Sequence, residues 1–159
     1  MQNNDTKIIV CLDPESNSQT ALRYAACIAK KSGFDIKILL VLPSEQRSLL
    51  FASKAMSQES KIIARKRLNK IIAGVNQEIA IKPQIKIIEG SVVQQITAEA
   101  QSQKDCVMMI FGKSANISSD NSVLPKIIQK VSNKIKVPVV IVPENLSQER
   151  LKDLCSDCS

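Results

Sequence analysis

The stretch KIIVCLDPESNSQTALRYAACIAKKSG, residues 7–33, decides the fold. Its first six residues form an apolar, β-branched run closed by Asp13 and Pro14, the pattern of a short buried strand ending in a turn. Leu22, Ala25, Ala26 and Ala29 then recur at i, i+3, i+4 and i+7, which predicts a helix with one apolar face. Gly33 stands where a C-terminal glycine ends such a helix. Strand, turn and helix in this order make the opening half of a βαβ unit.

The same alternation continues to either side of the next turns. Residues 35–42 read as a second strand. Residues 44–77 form a long segment whose later half puts Leu68, Ile71, Ile72 and Val75 on one face and ends near Gly74, with LLFASKAMSQES (49–60) read as a mobile loop running into helix. A third strand is expected at 84–88. Gly90 and Ser91 then open a third helix, with Ser91 as its cap and Val93, Ile96, Thr97 and Ala100 along one side. A fourth strand at 106–111 leads into a polar loop at 112–121. The fourth helix is expected to carry Leu124, Ile127, Ile128, Val131 and Ile135, and PVVIV, from Pro138 to Val142, is the fifth strand.

Short strands separated by helices require crossovers, so the expected architecture is α/β: a single doubly wound domain with a five-stranded parallel sheet and helices on both faces. The domain is expected to span residues 1–145, with 146–159 a polar C-terminal tail carrying a short helical turn at 148–154. A chain ended near Asn145 is therefore expected to stay cooperatively folded. Ligands of such sheets sit at the carboxyl ends of the strands, which here means residues 12–16, 41–44, 89–91 and 112–122.

Composition narrows the function. A chain of 159 residues with 44% hydrophobic content has room for one core. No run approaches the ~18 apolar residues of a membrane span, and MQNNDTK lacks the basic-then-apolar order of a secretion signal, so a cytoplasmic protein without a membrane partner is expected. Five cysteines, an odd number, with Cys11, Cys27 and Cys106 inside apolar segments, read as reduced core residues. The formal charge of +7 is spread along the chain, dense only at Lys61, Arg65, Lys66, Arg67 and Lys70. Without interleaved aromatics it reads as a solvated helix face, not a nucleic-acid surface.

The quoted stretch resembles the opening strand, Asp-containing turn and first helix of the universal stress protein family. GSVVQQITAEAQ (90–101) is similar to the family's third helix in its Gly-x5-Ile-x3-Ala spacing. CVMMIFGKS (106–114) is similar to its fourth strand, and KVPVVIVP (136–143) to its closing strand. The resemblance covers about residues 7–143 and implies a Rossmann-like sheet of the adenine nucleotide alpha hydrolase type. It also implies a homodimer through the 138–142 strand and an adenine-nucleotide site. Asp13 matches the residue that holds adenine and ribose, and Val41 falls where the second strand's backbone lines the adenine pocket.

On the phosphate side, ATP-binding members carry Gly-x2-Gly-x9-Gly-Ser/Thr after the fourth strand. Gly112 matches the first glycine, whereas Ala115, Pro125 and Lys126 stand at the other three positions. Pro125 has no amide to donate, and losing a hydrogen bond to a charged group costs about 1.5–3 kcal/mol. A left-handed Ala115 would cost about 1–2 kcal/mol. Pro14 and Glu15 replace the small residues usual after the aspartate, which further hinders close phosphate approach. Lys113 and Lys126 offer charge but not the cradle's geometry. The expectation is a vestigial site at Asp13, Val41, Gly112, Lys113, Ala115 and Lys126, with weak or absent binding of ATP and less loss for AMP. The expected protein is a regulatory, non-catalytic one; the alternative is an ATP-binding member or an enzyme acting on an adenine nucleotide.

Other motifs fall away. Gly112-Lys113-Ser114 lacks the earlier glycine of a phosphate loop, because Val107 occupies that position. A phospho-acceptor receiver domain would need an aspartate ending the third strand. With no histidine in the chain, Ser-His and Cys-His pairs and histidine metal ligands are excluded, so no catalytic or metal residue is nominated. Cys155-x-x-Cys158 supplies only two of the four ligands a structural zinc needs.

Overall fold

In a computed structural model, the structure describes residues 5–14, 16, 18–43, 53–113, 123–131 and 133–156; at 53–57, 113, 123, 124 and 131 the description covers the backbone. Strand β1 (Lys7–Leu12) has Ile8, Ile9 and Val10 at 0% exposure, so both of its faces are covered. A strand apolar on both sides belongs in the middle of a parallel sheet with helices above and below. That is where it lies. The sheet is five-stranded and parallel in the order β3-β2-β1-β4-β5, with β2 Asp35–Pro43, β3 Gln84–Gly90, β4 Cys106–Lys113 and β5 Val139–Pro143. Ile9 pairs with Lys37 on one side and Met109 on the other.

The alternation of β1 side chains separates two cores. Ile8 and Val10 meet helix α1 (Thr20–Ser32) through Ala21, Leu22, Ala25 and Ala26, and helix α2 (Ser53–Asn76) through Leu68, Ile71 and Val75. Tyr24 and Ile28 pack against the same cluster. Ile9 and Cys11 face helix α3 (Val92–Ser102) and helix α4 (Val123–Val131), with Ile96, Ala100 and Ile127 in contact. Helix α1 ends as its sequence predicts: Gly33 takes φ 70°, a left-handed cap open to glycine, and its N–H donates to the Ala29 carbonyl at 2.8 Å.

Several boundaries differ from expectation. Helix α2 begins at Ser53, so residues 53–60 of that segment are helical, and it runs through Gly74; residues 44–52 lie outside the described set. Strand β4 continues to Lys113, which places Gly112 and Lys113 in the sheet and not in the polar loop. Ser91 occupies the N-cap position of α3 but makes no side-chain capping bond. Helix α4 stops at Val131, yet Ile135 beyond it is fully buried, returned to the core by a turn in which its N–H donates to the Lys130 carbonyl at 2.8 Å. Cys11 and Cys106 are core residues, whereas Cys27 is half-buried at the surface of α1. Residues 148–156 form a full helix, α5 (Gln148–Ser156), packed on α1, with Leu151 3% exposed and Leu146 against the α1 cluster. This packing weighs against the expectation that the residues after 145 are dispensable for folding.

One charge sits inside this frame. Glu99 on α3 is 3% exposed and ion-paired to Lys37 of β2 and, at 2.6 Å, to Lys86 of β3, joining the helix to two strands. Burial pushes the Glu99 carboxyl upward, but the two ammonium groups outweigh it and hold the group below its ordinary value.

Two outcomes follow from this packing. Leu151→Ala should cost about 2–4 kcal/mol in urea unfolding, and ending the chain at Asn145 should lower the melting temperature. An unchanged melting temperature in both would show that α5 contributes nothing. Because the folded-state pKa of Glu99 is depressed, its stabilisation is present above the ordinary glutamate value and is lost as pH falls through the folded value. Glu99→Gln should therefore be destabilised by about 3 kcal/mol at pH 7, since it leaves Lys37 without its carboxylate. Thermal melts between about pH 5 and pH 3 should show a smaller acid-dependent fall in the variant than in the parent.

Candidate functional site

The strand order reverses direction between β1 and β4, and a cleft opens at the carboxyl ends of these two strands. Crevices at such a switch point are where doubly wound sheets bind ligands. Its floor is Leu12 of β1, Gly112 of β4 and Val142 of β5; Thr20 and Ala21 of α1 and Ile71 of α2 form walls; Asp13, Ser16, Ser18 and Glu144 supply polar groups. The space is about 360 Å³ with its open mouth and adjoining solvent included.

Hydroxyl groups organise the rim. Ser16 Oγ donates to Glu144 Oε1 at 2.7 Å, and Thr20 Oγ1 donates to the Glu144 carbonyl at 3.2 Å. Ser18 Oγ accepts from the Thr20 N–H at 3.3 Å and donates to Thr20 Oγ1 at 3.2 Å, so Ser18 satisfies a donor at the start of α1 that its N-cap residue, Gln19, does not. Ser16 N–H turns back to the Asp13 carbonyl at 3.1 Å, and Arg67 Nη1 of α2 donates to the Pro14 carbonyl. The β1–α1 turn is thus tied to the turn after β5 and to α2. A side chain at Gly112 would bring its Cβ within 3.3 Å of Ala21 Cβ. Glycine there lets α1 sit close on β4, a packing reason that stands beside any part in ligand binding.

Of the six residues nominated from sequence, the cleft brings two together among the described residues. Asp13 and Gly112 line the cleft. Val41 is buried with its side chain in the α3 and α4 core, away from the cleft lining. Lys113 pairs by its backbone with Pro143, and Lys126 is exposed on α4 and does not line the cleft. Ala115 lies outside the described residues. Sequence reasoning reached Ser16 only as the end of the 12–16 segment and passed over Ser18, Thr20 and Glu144; the Ser-x-Ser-x-Thr spacing at 16–20 was the available signal for Ser18 and Thr20. Among the described lining residues the charged ones are both acidic, Asp13 and Glu144, and no group of three His, Cys, Asp or Glu side chains suited to a metal occurs among the described residues. Nor is any helix among them long and apolar enough to cross a membrane.

Fold and cleft together define a doubly wound α/β protein with a cleft at its switch point. The sequence profile of the universal stress protein family matches residues 6–143, and the chain belongs to that family. Among solved structures it is similar to the universal stress protein UspA from Lactobacillus plantarum, at 16% identity and TM-score 0.68, covering 87% of this chain and 97% of that one. It is also similar to the universal stress protein from Archaeoglobus fulgidus in complex with dAMP, at 20% identity and TM-score 0.61, over 86% and 96% of the two chains. A universal stress protein from Burkholderia pseudomallei aligns at 14% identity and TM-score 0.65, over 90% and 99%. No curated protein sequence matches the chain.

Proposed function

We propose that this chain is a non-catalytic, regulatory universal stress protein of the cytoplasm that takes an adenine nucleoside or monophosphate in preference to ATP and works as a homodimer. The observation that carries the reading is the cleft at Leu12 and Gly112, whose described charged lining is the carboxylate pair Asp13 and Glu144. A carboxylate accepts hydrogen bonds from ribose hydroxyls, whereas a triphosphate beside two carboxylates is repelled. Lys126, which could have offset that repulsion, is exposed on α4 outside the lining. The dAMP complex of the A. fulgidus protein supports a monophosphate as the ligand class.

The non-catalytic part rests on the absence of histidine from the sequence and on Glu144 being engaged by the Ser16 hydroxyl at 2.7 Å, which suits a structural acceptor more than a free base. The dimer rests on β5. It is an edge strand, and Ile141 at its centre is 37% exposed, an apolar edge of the kind that proteins cover.

Calorimetric titration of the purified chain should give adenosine and AMP dissociation constants at least about tenfold below that of ATP, a difference of about 1.4 kcal/mol, with Asp13→Ala abolishing the preference. Submicromolar ATP binding would overturn the ligand assignment, and release of ADP or phosphate during the same titration would overturn the non-catalytic one. For the assembly, light scattering should report a dimer that Ile141→Lys converts to a folded monomer. A parent chain monomeric at every concentration tested would refute it.

A further inference from the structure

Glu144 lines the cleft and lies one residue beyond the stretch that the family profile matches, so resemblance gives it no role. Two hydroxyl groups commit their protons to this residue: Ser16 Oγ donates to its Oε1 at 2.7 Å, and Thr20 Oγ1 to its carbonyl oxygen at 3.2 Å. Each hydroxyl carries one proton, and a carbonyl or an ionised carboxylate only accepts. With the Thr20 proton committed, the 3.2 Å bond between Ser18 and Thr20 has to be donated by Ser18. All three hydroxyl protons are thus directed at protein acceptors.

The backbone donors of the same residues are engaged as well. The Ser16 N–H goes to the Asp13 carbonyl at 3.1 Å, the Ser18 N–H to Ser16 Oγ at 3.1 Å, and the Thr20 N–H to Ser18 Oγ at 3.3 Å. What Ser16, Ser18 and Thr20 offer a ligand is lone pairs, and the carboxylates in the same lining, Asp13 and Glu144, are acceptors too. A phosphate group finds no donor on this side of the cleft and meets like charge there. A vicinal diol supplies two donors on adjacent carbons, and a carboxylate can accept several hydrogen bonds at once across its two oxygens.

We propose that Glu144 is the specificity-determining residue of the cleft, selecting its ligand by the 2′,3′-diol of a ribonucleoside; this rests on the reading of the cleft as a nucleoside site. It acts through its own oxygens and through the direction in which it holds the Ser16 proton. In Glu144→Gln the side-chain amide nitrogen can donate to Ser16 Oγ, which turns the Ser16 proton outward and gives the rim a donor. The bond from Thr20 goes to the backbone carbonyl of residue 144 and survives the substitution.

Calorimetric titration of the full chain with adenosine and with 2′,3′-dideoxyadenosine tests this. Adenosine should bind on the order of tenfold to a hundredfold tighter, the loss expected when hydrogen bonds to a charged group are removed. In Glu144→Gln that ratio should fall to roughly threefold, as for a neutral hydrogen bond. Should Glu144→Gln fail to fold, Glu144→Ala takes its place, with the same collapse of the ratio expected. Equal binding of the two ligands by the parent, or an undiminished ratio in the variant, would overturn the proposal and leave the adenine assignment standing. Uridine matching adenosine, with the same loss for its dideoxy form, would sink the adenine assignment and leave diol selection by Glu144 intact. A parent chain that takes up none of these nucleosides would overturn both.

Discussion

The double burial of β1 is the constraint from which the remaining architecture follows. Ile8, Ile9 and Val10 leave neither face to solvent, so each face demands its own helical layer and the strand can only be central. The chain builds outward to β2 and β3, returns across the sheet, and continues to β4 and β5. The place where that return happens, beside β1, is where two neighbouring loops diverge and a crevice is left. The cleft is therefore a consequence of where the most apolar strand must go. Its position would survive wide changes in its lining.

What the lining adds is local and polar. Ser16, Thr20 and Glu144 tie the turn after β1 to the turn after β5, two segments far apart in sequence but adjacent at the same sheet end. Glu99, paired with Lys37 and Lys86, ties α3 to the strands on the opposite face. Neither arrangement drives folding by its net energy, because partly buried polar contacts return little more than their desolvation removes. They set orientation. The apolar layers determine that helices cover the sheet, and these contacts determine the angle and register at which α1 and α3 do so.

Strands and helix faces were legible in the sequence because they depend on local periodicity. β1 and the capped end of α1 needed no information beyond residues 7–33, and the apolar face of α2 was correct for Leu68, Ile71 and Val75. Ends were less legible, because parallel pairing extended β3 to Gly90 and β4 to Lys113 through hydrogen bonds to neighbours distant in sequence. The burial of Leu151 was hidden for the same reason: two leucines in a polar helix of nine residues are too short a pattern to read as a buried face, and the partner surface on α1 lies more than a hundred residues earlier in the numbering. At the site, Asp13 and Gly112, nominated through the family resemblance, both lie at strand ends and line the cleft. Val41 was nominated for its backbone, and strand alternation sends its side chain to the α3 side.

Tyr24 brings a practical consequence. The chain has one tyrosine and no tryptophan, and that tyrosine packs against the α1 core on the helix that carries Cys27 and receives α5. Its ultraviolet emission is neither drained by energy transfer to an indole nor averaged over several phenols, so it is a built-in optical reporter of the packing of α1 on its core. Loosening of that packing alone would alter the emission while the sheet, and with it the far-ultraviolet dichroism, stayed intact. Non-coincidence of the two signals would then distinguish local opening from global unfolding without any label attached.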